Sequence, residues 1–392
     1  MDRLIFHIDV NSAFLSWTAV ENLKNGNDID LREIPSIIGG DMTSRHGIVL
    51  AKSIPAKTYK ITTGEPVAHA LQKCPNLVIA PPNHKLYSEY SRRLMEFLKT
   101  FSPVIEQVSI DECYMDFTDF QTRYDSPIQA AALIKDSVRD TFGFTVNVGI
   151  SCNKLLAKMA SDFEKPDKVH TLFPDEIPTK MWPLPVRELF MVGKSAAATL
   201  EKLEILTIGD LAHMDVSILE SHMKSHGRLI WEFANGFNDS PVQTEESDLK
   251  GVGNSTTLPR NAETSADAKK VLRTLCDQVA SRLRKYGQLA GMVSTEIKYA
   301  TFSSVSHQMQ IPSATDDAGV LFHHVCLLFD ELWNGEPIRL LGVRTSKLTT
   351  EPEPIQLNLF DLPKAQKELK ADKAAEELRK RFGNGIIRKG ME

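Results

Sequence analysis

Two acidic residues stand side by side in a stretch that otherwise has the pattern of a β-strand. Residues 108–117 are mostly apolar and β-branched, and Asp111 and Glu112 interrupt them. Because successive side chains of a regular strand point to opposite faces, adjacent carboxylates serve one site only where the strand turns, ends or bulges. The pair therefore marks either a solvated strand end or a site at the edge of a sheet.

Composition limits the class of protein. The chain has 392 residues, 42% hydrophobic and 25% charged, which is typical of a soluble protein with about three domains. No apolar run approaches the roughly 20 residues of a membrane span, and no signal peptide is expected. Five scattered cysteines indicate reduced thiols and a cytoplasmic location. The net charge is −5, yet residues 250–350 carry an excess of basic residues, so the acidic excess precedes them.

A third carboxylate stands at a predicted strand-to-helix junction near the N-terminus. Residues 4–8 alternate in the manner of a strand, and Asp9 lies where this strand is expected to end. Asn11 and Ser12 are suited to capping a helix whose apolar stripe begins with Phe14. The amides that begin such a helix can receive an anion such as phosphate, although an ordinary turn has the same pattern.

Strands and helices alternate through the first half of the chain. Apolar spacing predicts a helix over residues 84–101, and a second from Ser126-Pro127 to Gly143. A strand over residues 145–150 leads to a third helix that ends near Lys165-Pro166. This order favours an α+β fold built on a mixed sheet.

The second half changes character twice. Short helices are predicted over residues 185–236, and the turn at residues 191–195 resembles a helix-hairpin-helix, although a plain helical turn fits equally well. Residues 250–350 form a basic α+β module with a half-exposed strand near residues 293–299. In the polar tail, residues 356–360 contain three large apolar side chains, which suggests a docking peptide or a segment that packs back on its own surface.

Together these residues resemble the Y-family translesion DNA polymerases, and most closely their bacterial DNA polymerase IV branch. The likeness covers residues 1–350 and the tail peptide, and the acid-pair motif is its most specific part. Four stretches carry it: Phe6-His7-Ile8-Asp9 with Phe14, Val108-Ser109-Ile110-Asp111-Glu112, Val148-Gly149-Ile150-Ser151-Cys152-Asn153-Lys154 with Lys165-Pro166, and Gln356-Leu357-Asn358-Leu359-Phe360.

The resemblance implies a right-hand polymerase. The implied parts are a ferredoxin-like palm over residues 1–170 with small fingers inserted at about 28–77, a helical thumb at 171–240, an α+β little finger at 247–350, and a tail at 351–392. Its activity would be template-directed, low-fidelity DNA synthesis past damaged bases. Its partners would be primer-template DNA, deoxynucleoside triphosphates and a sliding clamp, bound by a monomer.

The resemblance also assigns roles to single residues. Two Mg²⁺ ions would be held by Asp9, Asp111 and Glu112 together with the main-chain carbonyl of Val10. Phe14 would be a steric gate against the ribose 2′-hydroxyl, although a core role is the alternative. The remaining roles are triphosphate binding by Lys57 and Lys165, and clamp binding by Gln356, Leu357, Leu359 and Phe360.

The chain departs from the family in the fingers and the thumb. Ala51 and Ile54 stand where a hydroxyl residue and a tyrosine are common, and Lys57 replaces an arginine, which removes bidentate geometry. Met191 replaces a glycine in the hairpin turn. These departures leave open a clamp- and DNA-binding factor with little or no polymerase activity. A nucleotide cyclase on a similar palm is disfavoured by the C-terminal module and the tail peptide.

Overall fold

A computed structural model describes residues 3–40, 47–245 and 248–351. The chain divides into two compact units, Met1–Ser247 and Asp248–Glu392. In chain order, the helices and strands of the first unit are β1 (Ile5–Val10), α1 (Ala13–Lys24), β2 (Ser36–Gly39), β3 (Val49–Lys52), α2 (Ile54–Thr58), α3 (Val67–Lys73), β4 (Val78–Ala80), α4 (His84–Leu98), β5 (Ile105–Gln107), β6 (Glu112–Asp116), α5 (Pro127–Phe142), β7 (Val146–Ser151), α6 (Lys154–Asp162), β8 (Val169–Thr171), α7 (Lys194–Lys202), α8 (Ile208–His213), α9 (Val216–Met223) and α10 (Ser225–Ala234).

A five-stranded mixed sheet with the order β5-β6-β1-β7-β8 is the centre of the first unit. β1 pairs antiparallel with β6 and with β7, whereas β7 and β8 run parallel. One face packs a large core against helices α1, α4 and α5, and the strands contribute to it every second residue, including Phe6, Ile8, Val10, Val146 and Val148. The other face carries His7 and Asp9, so the alternation predicted for the N-terminal strand is confirmed.

Helix α6 lies against this second face because β7 contains a glycine at the contact. A Cβ atom added to Gly149 would meet the carbonyl oxygen of Ala157 at 1.9 Å and the amide nitrogen of Ser161 at 2.4 Å. No other residue type permits this approach. Ala157 also packs against Ile5 and Tyr114, so α6 is fixed directly over the strands that carry the acidic residues.

The start of helix α1 differs from the prediction. The residue before the helix, Ser12, has a left-handed backbone (φ 48°) and its side chain makes no capping hydrogen bond. The side chain of Asn11 is turned instead toward Thr145 and Asp167, far away in sequence. Ser12 is thus the N-cap residue by position, as predicted, but the predicted side-chain capping by Asn11 and Ser12 is wrong, and Asn11 bonds to long-range partners instead.

The remaining parts of the first unit have cores of their own. Strands β2, β3 and β4 form a separate three-stranded sheet, whose core includes Ile37, Val49 and Val67. Helices α7–α10 surround Leu200, Ile208 and other apolar residues in a core shared with α6. These features lie within or beside the segments predicted as fingers and thumb.

The second unit is a four-stranded antiparallel sheet backed by two helices. Its strands are arranged β11-β10-β12-β9, and its elements are β9 (Gly251–Ala262), α11 (Ser265–Lys285), β10 (Leu289–Tyr299), β11 (Ser304–Thr315), α12 (Ala318–Leu332) and β12 (Ile338–Thr349). In β10, Val293 and Ile297 are buried under the helices whereas Glu296 is exposed, so the predicted half-exposed strand is confirmed. Among the described helices, none has the length and apolar character that a membrane crossing requires.

Candidate active site

The pairing of the three central strands places two carboxylates and one side-chain amide next to each other in a row across the sheet. Asp9, next to the last residue of β1, lies directly opposite Glu112 on β6 and opposite Asn147 on β7. Residues directly opposite each other in antiparallel strands share a face of the sheet. The row Glu112–Asp9–Asn147 therefore runs across the three central strands, on the face that α6 partly covers.

Asp111 joins this row from a tight hairpin rather than from a strand. The strand predicted over residues 108–117 begins only at Glu112, and residues 108–111 connect it to β5. The backbone N–H of Val10 donates to the carbonyl of Asp111 (3.0 Å), and the Ser109 hydroxyl contacts the Asp111 carboxylate (2.6 Å). Asp111 precedes the strand, so the alternation of side chains along a strand does not force the two adjacent acids to opposite faces. This agrees with the expectation that adjacent acids serve one site only where a strand turns, ends or bulges.

Glu112 is held by groups that the sequence reasoning missed. His7 Nε2 lies 3.3 Å from Glu112 Oε2, and Lys158 Nζ on α6 donates to the same oxygen (2.7 Å). These contacts, with His7 first and then the Lys158 ammonium, lower the pKa of Glu112 to about 2 against the cost of burial. The other nitrogen of His7, Nδ1, lies 2.8 Å from the Ser161 hydroxyl, which donates to a carbonyl of α6.

A spacing in the sequence could have revealed the lysine contacts. Lys154 and Lys158 are four residues apart in α6, so they lie on the same side of the helix. Lys154 donates to both carboxylate oxygens of Glu106 on β5, and Lys158 donates to Glu112 on β6. A pair of lysines at this spacing, on an otherwise amphipathic helix, is the expected complement of an acidic sheet edge.

Asp9 pairs with the lysine that was predicted to bind triphosphate. Lys165 Nζ donates to Asp9 Oδ2 and lies 2.8 Å from Asp162 Oδ1. Burial raises the pKa of Asp9, and this effect is larger than the opposing effect of the Lys165 charge, because Asp9 is less exposed than Lys165. Burial lowers the pKa of Lys165, but the two carboxylates raise it on balance. Asp9 is thus a half-buried carboxylate whose charge one exposed lysine offsets only in part.

Phe14 is half-buried on the first turn of α1. Its ring stacks on Tyr87 with 4.4 Å between centroids and 7° between planes, and His84 approaches the ring edge-on at 6.1 Å. The ring is thus locked by aromatic neighbours on helix α4 but retains an exposed part. The ring is therefore partly core and partly exposed, and the role of Phe14 as a steric gate stays a prediction.

The predicted departures from the family in the fingers lie around helix α2. Ala51 is buried in β3, Ile54 begins α2 with 56% of its surface exposed, and Lys57 is exposed on the same short helix. In the segment predicted as the thumb, Met191 has a left-handed backbone (φ 72°) that glycine adopts without strain. A glycine at position 191 would therefore adopt this turn without the strain that a side chain adds.

The three acids share a sheet edge but do not converge on one point. Asp9 contacts Lys165, Asp111 contacts Ser109 and Glu112 contacts Lys158. Accordingly, in the described ranges no group of three or more His, Cys, Asp or Glu side chains is arranged to hold a metal ion. The donor set nevertheless fits a hard divalent cation, because it consists of carboxylate oxygens that already attract two ammonium groups. The predicted clamp peptide at residues 356–360 lies outside the described residues.

Comparison with known proteins identifies the family. Residues 8–162 match the impB/mucB/samB family, residues 249–359 match the impB/mucB/samB family C-terminal domain, and residues 174–205 match the IMS family HHH motif. DNA polymerase IV of Clostridium acetobutylicum is 46% identical over 391 residues, which span 100% of this chain and 98% of that protein. DNA polymerase IV 1 of Bacillus subtilis is 34% identical over 99% of this chain and 92% of its own length.

A solved structure agrees in fold. A Y-family DNA polymerase chimera, Dbh-Dpo4-Dbh, superposes with a TM-score of 0.77 at 22% identity, over 89% of this chain and 100% of the chimera. The right-hand fold and the helix-hairpin-helix expected from the sequence are therefore confirmed. The chain belongs to the impB/mucB/samB family, in the DNA polymerase IV branch of the Y-family DNA-directed DNA polymerases.

Proposed function

We propose that this chain extends DNA primers past damaged template bases with low fidelity, by nucleotidyl transfer at Asp9, Asp111 and Glu112 with two Mg²⁺ ions. The observation that carries the proposal is the strand register that sets Asp9 directly opposite Glu112, with Asp111 next to it in the hairpin. Three carboxylates on two neighbouring strand ends, in a chain of this family, are the ligands that Mg²⁺ prefers.

The protein groups divide the work. Asp9, Asp111 and the Val10 main-chain carbonyl would hold the two ions together with Glu112, whose carboxylate would serve the primer side. Bound ions would activate the primer hydroxyl and neutralise the leaving pyrophosphate. A cation bound at Asp9 would favour the ionised carboxylate and so oppose the effect of burial, which raises the pKa of this group.

Lysines would hold the triphosphate. Lys165 contacts Asp9 here, and with metal held at Asp9 its ammonium would be available to donate to a phosphate oxygen. Lys57 is exposed at the fingers and would give a second, monodentate contact. Since Ala51 and Ile54 donate no side-chain hydrogen bond, we expect the affinity for nucleotide to rest on the lysines and the ions.

Primer extension with and without Mg²⁺, on undamaged and lesion-containing templates, tests the proposal. The variant Asp111→Asn should abolish extension. Asp116→Asn, at the far end of strand β6, is the matched control and should retain it, because Asp116 pairs with Ile5, away from the row. Extension by Asp111→Asn at the wild-type rate would refute the site.

The fingers give a reason to keep a second candidate. Neither a buried Ala51 nor an exposed Ile54 supplies the polar contact common in the family, so a clamp- and DNA-binding factor with little synthesis is the alternative. It predicts tight binding of primer-template DNA with no incorporation at saturating nucleotide. Incorporation in that assay excludes it.

The tail would tether the enzyme. We infer that Gln356 sets the register and that Leu357, Leu359 and Phe360 enter an apolar groove of a sliding clamp. Tethering raises the effective concentration at the primer end without strengthening the contact with DNA itself. The monomeric state and the cytoplasmic location remain predictions.

A further inference from the structure

Two buried asparagines next to the acids have no part in the proposed chemistry. Asn147, at the end of the row Glu112–Asp9–Asn147, is 0% exposed, and Asn11, two residues after Asp9, is 8% exposed. They contact each other, since Asn11 Nδ2 donates to Asn147 Oδ1 (3.0 Å). Buried amides are costly unless every donor and acceptor has a partner, so the other partners show what the pair holds.

Asn147 uses its whole hydrogen-bonding capacity. Its Nδ2 donates to the carbonyl oxygens of Ser161 (3.0 Å) and Glu164 (2.7 Å). Its Oδ1 accepts from the backbone N–H of Lys168 (3.3 Å) as well as from Asn11. Three of these four partners are backbone groups of the segment 161–168, which comprises the end of α6 and the residues after it and carries Lys165.

Asn11, which directly follows strand β1, also binds the backbone of the segment 161–168. Its Oδ1 accepts from the backbone N–H of Asp167 (2.9 Å) and from the Thr145 hydroxyl (2.9 Å). The backbone of the segment is thus bound by amides at residue 164 before Lys165 and at residue 167 after it. On its outer side, Asp167 is held by Lys135 and Arg139 of α5.

We propose that Asn147 and Asn11 are positioning residues that set the ammonium of Lys165 relative to Asp9 and so determine the affinity for the nucleotide triphosphate. The inference rests on the proposed function, in which Lys165 binds phosphate. Its basis is the placement of the pair: Asn147 is the cross-strand neighbour of Asp9, and Asn11 follows it by two residues. The same two strands therefore locate both the carboxylate and the backbone that carries its lysine.

If Asn147 and Asn11 only stabilised the fold, their loss would act like the loss of any other buried amide, and a control residue can test this. Asn153 is also buried (8% exposed) and its amide also makes two hydrogen bonds, to Gly236 O and from Leu156 N. It caps the opposite end of α6 and has no contact with the segment 161–168. Asn153→Ala therefore removes a buried amide of the same unit without touching the support of Lys165.

The test is steady-state insertion of a single deoxynucleotide by the full-length protein, with thermal unfolding as a check that each variant folds. Asn147→Ser should raise KM for the nucleotide about tenfold and change kcat much less, as expected when one charge-assisted phosphate contact is lost. Asn11→Ala, at the less buried partner, should act in the same direction. Asn153→Ala should lower thermal stability and leave KM unchanged.

A double-variant comparison separates this inference from the proposed function. In the background Lys165→Ala, Asn147→Ser should have no further effect on KM, because the two act through one contact. The positioning role would be overturned if the effects of Lys165→Ala and Asn147→Ser on KM multiplied in the double variant. It would also be overturned if Asn147→Ser changed KM no more than Asn153→Ala does. If Lys165→Ala itself leaves KM unchanged, the phosphate-binding role of Lys165 fails and the inference fails with it, although extension dependent on Asp111 would still stand.

Discussion

A single methyl group on Gly149 should disrupt the site by displacing helix α6. A Cβ atom there would lie 1.9 Å from the Ala157 carbonyl oxygen, and Cβ contacts below 3.0 Å essentially do not occur. Helix and strand would have to separate by about 1 Å, and the obstacle is backbone rather than the end of a flexible side chain. The substitution Gly149→Ala therefore cannot be absorbed by a change of rotamer.

The cost is that of overpacking a buried contact between a helix and a strand. We expect Gly149→Ala to lower the free energy of unfolding by about 3 kcal/mol. The restricted unfolded state of alanine offsets this by less than about 1 kcal/mol. Activity should fall as well, because Lys158 moves with the helix and its 2.7 Å contact with Glu112 would lengthen.

Urea unfolding followed by tryptophan fluorescence measures the effect. Three of the four tryptophans report on the first unit: Trp17, Trp182 and Trp231. Gly193→Ala is the control for stability, because an added Cβ has no atom within 4 Å there and the backbone φ is −79°. The control should change the free energy of unfolding by less than about 0.5 kcal/mol. An equally small change for Gly149→Ala would refute the close approach of α6.

Three further outcomes test the gate, the acid and the tail. Phe14→Ala should admit ribonucleotides because it leaves space for the 2′-hydroxyl; unchanged discrimination in a competition assay would make Phe14 a core residue only. Since the pKa of Glu112 is about 2 in the folded protein, its charge stabilises the metal-free fold above about pH 4.5, and this contribution is lost as the pH falls toward 2. Glu112→Gln should flatten that dependence in urea unfolding with EDTA; equal slopes would contradict the shift. Replacing Leu359 and Phe360 by alanine should reduce stimulation of extension by a sliding clamp but not extension without it; full stimulation would exclude this peptide as the tether.

Local patterns in the sequence were sufficient for most of the fold. The predicted helix at residues 84–101 is α4 (His84–Leu98), and that after Ser126 is α5 (Pro127–Phe142), because apolar spacing and caps are encoded within one element. The Ser126 side chain accepts the capping hydrogen bond from Gln129 N, as its position implied. The strand at residues 108–117 was predicted too long because four of its residues form the hairpin to β5 instead.

The capping prediction at α1 failed for a physical reason. Asn11 has the residue type and the position of a helix cap, and propensity alone favours that role. In the folded chain its amide bonds to Thr145 and Asp167, more than 130 residues away. A side chain that can either cap a helix or bond to distant groups takes the distant groups when these would otherwise be buried without a hydrogen-bond partner. Such groups can be identified only from the tertiary structure.

The distinction between local sequence patterns and long-range contacts also separates the acids from the groups that contact them. Asp9, Asp111 and Glu112 stood out as acids at or beside predicted strand ends, and the resemblance to the Y-family polymerases assigned them to one site. His7 and Lys158 touch Glu112 only because β1 and α6 meet on one face of the sheet, at a separation that Gly149 sets. Acids near strand ends can thus be recognised from the local sequence, whereas the positions of the supporting charges depend on contacts between distant elements. A variant that preserves every acid and every strand, such as Gly149→Ala, can therefore still disable the site.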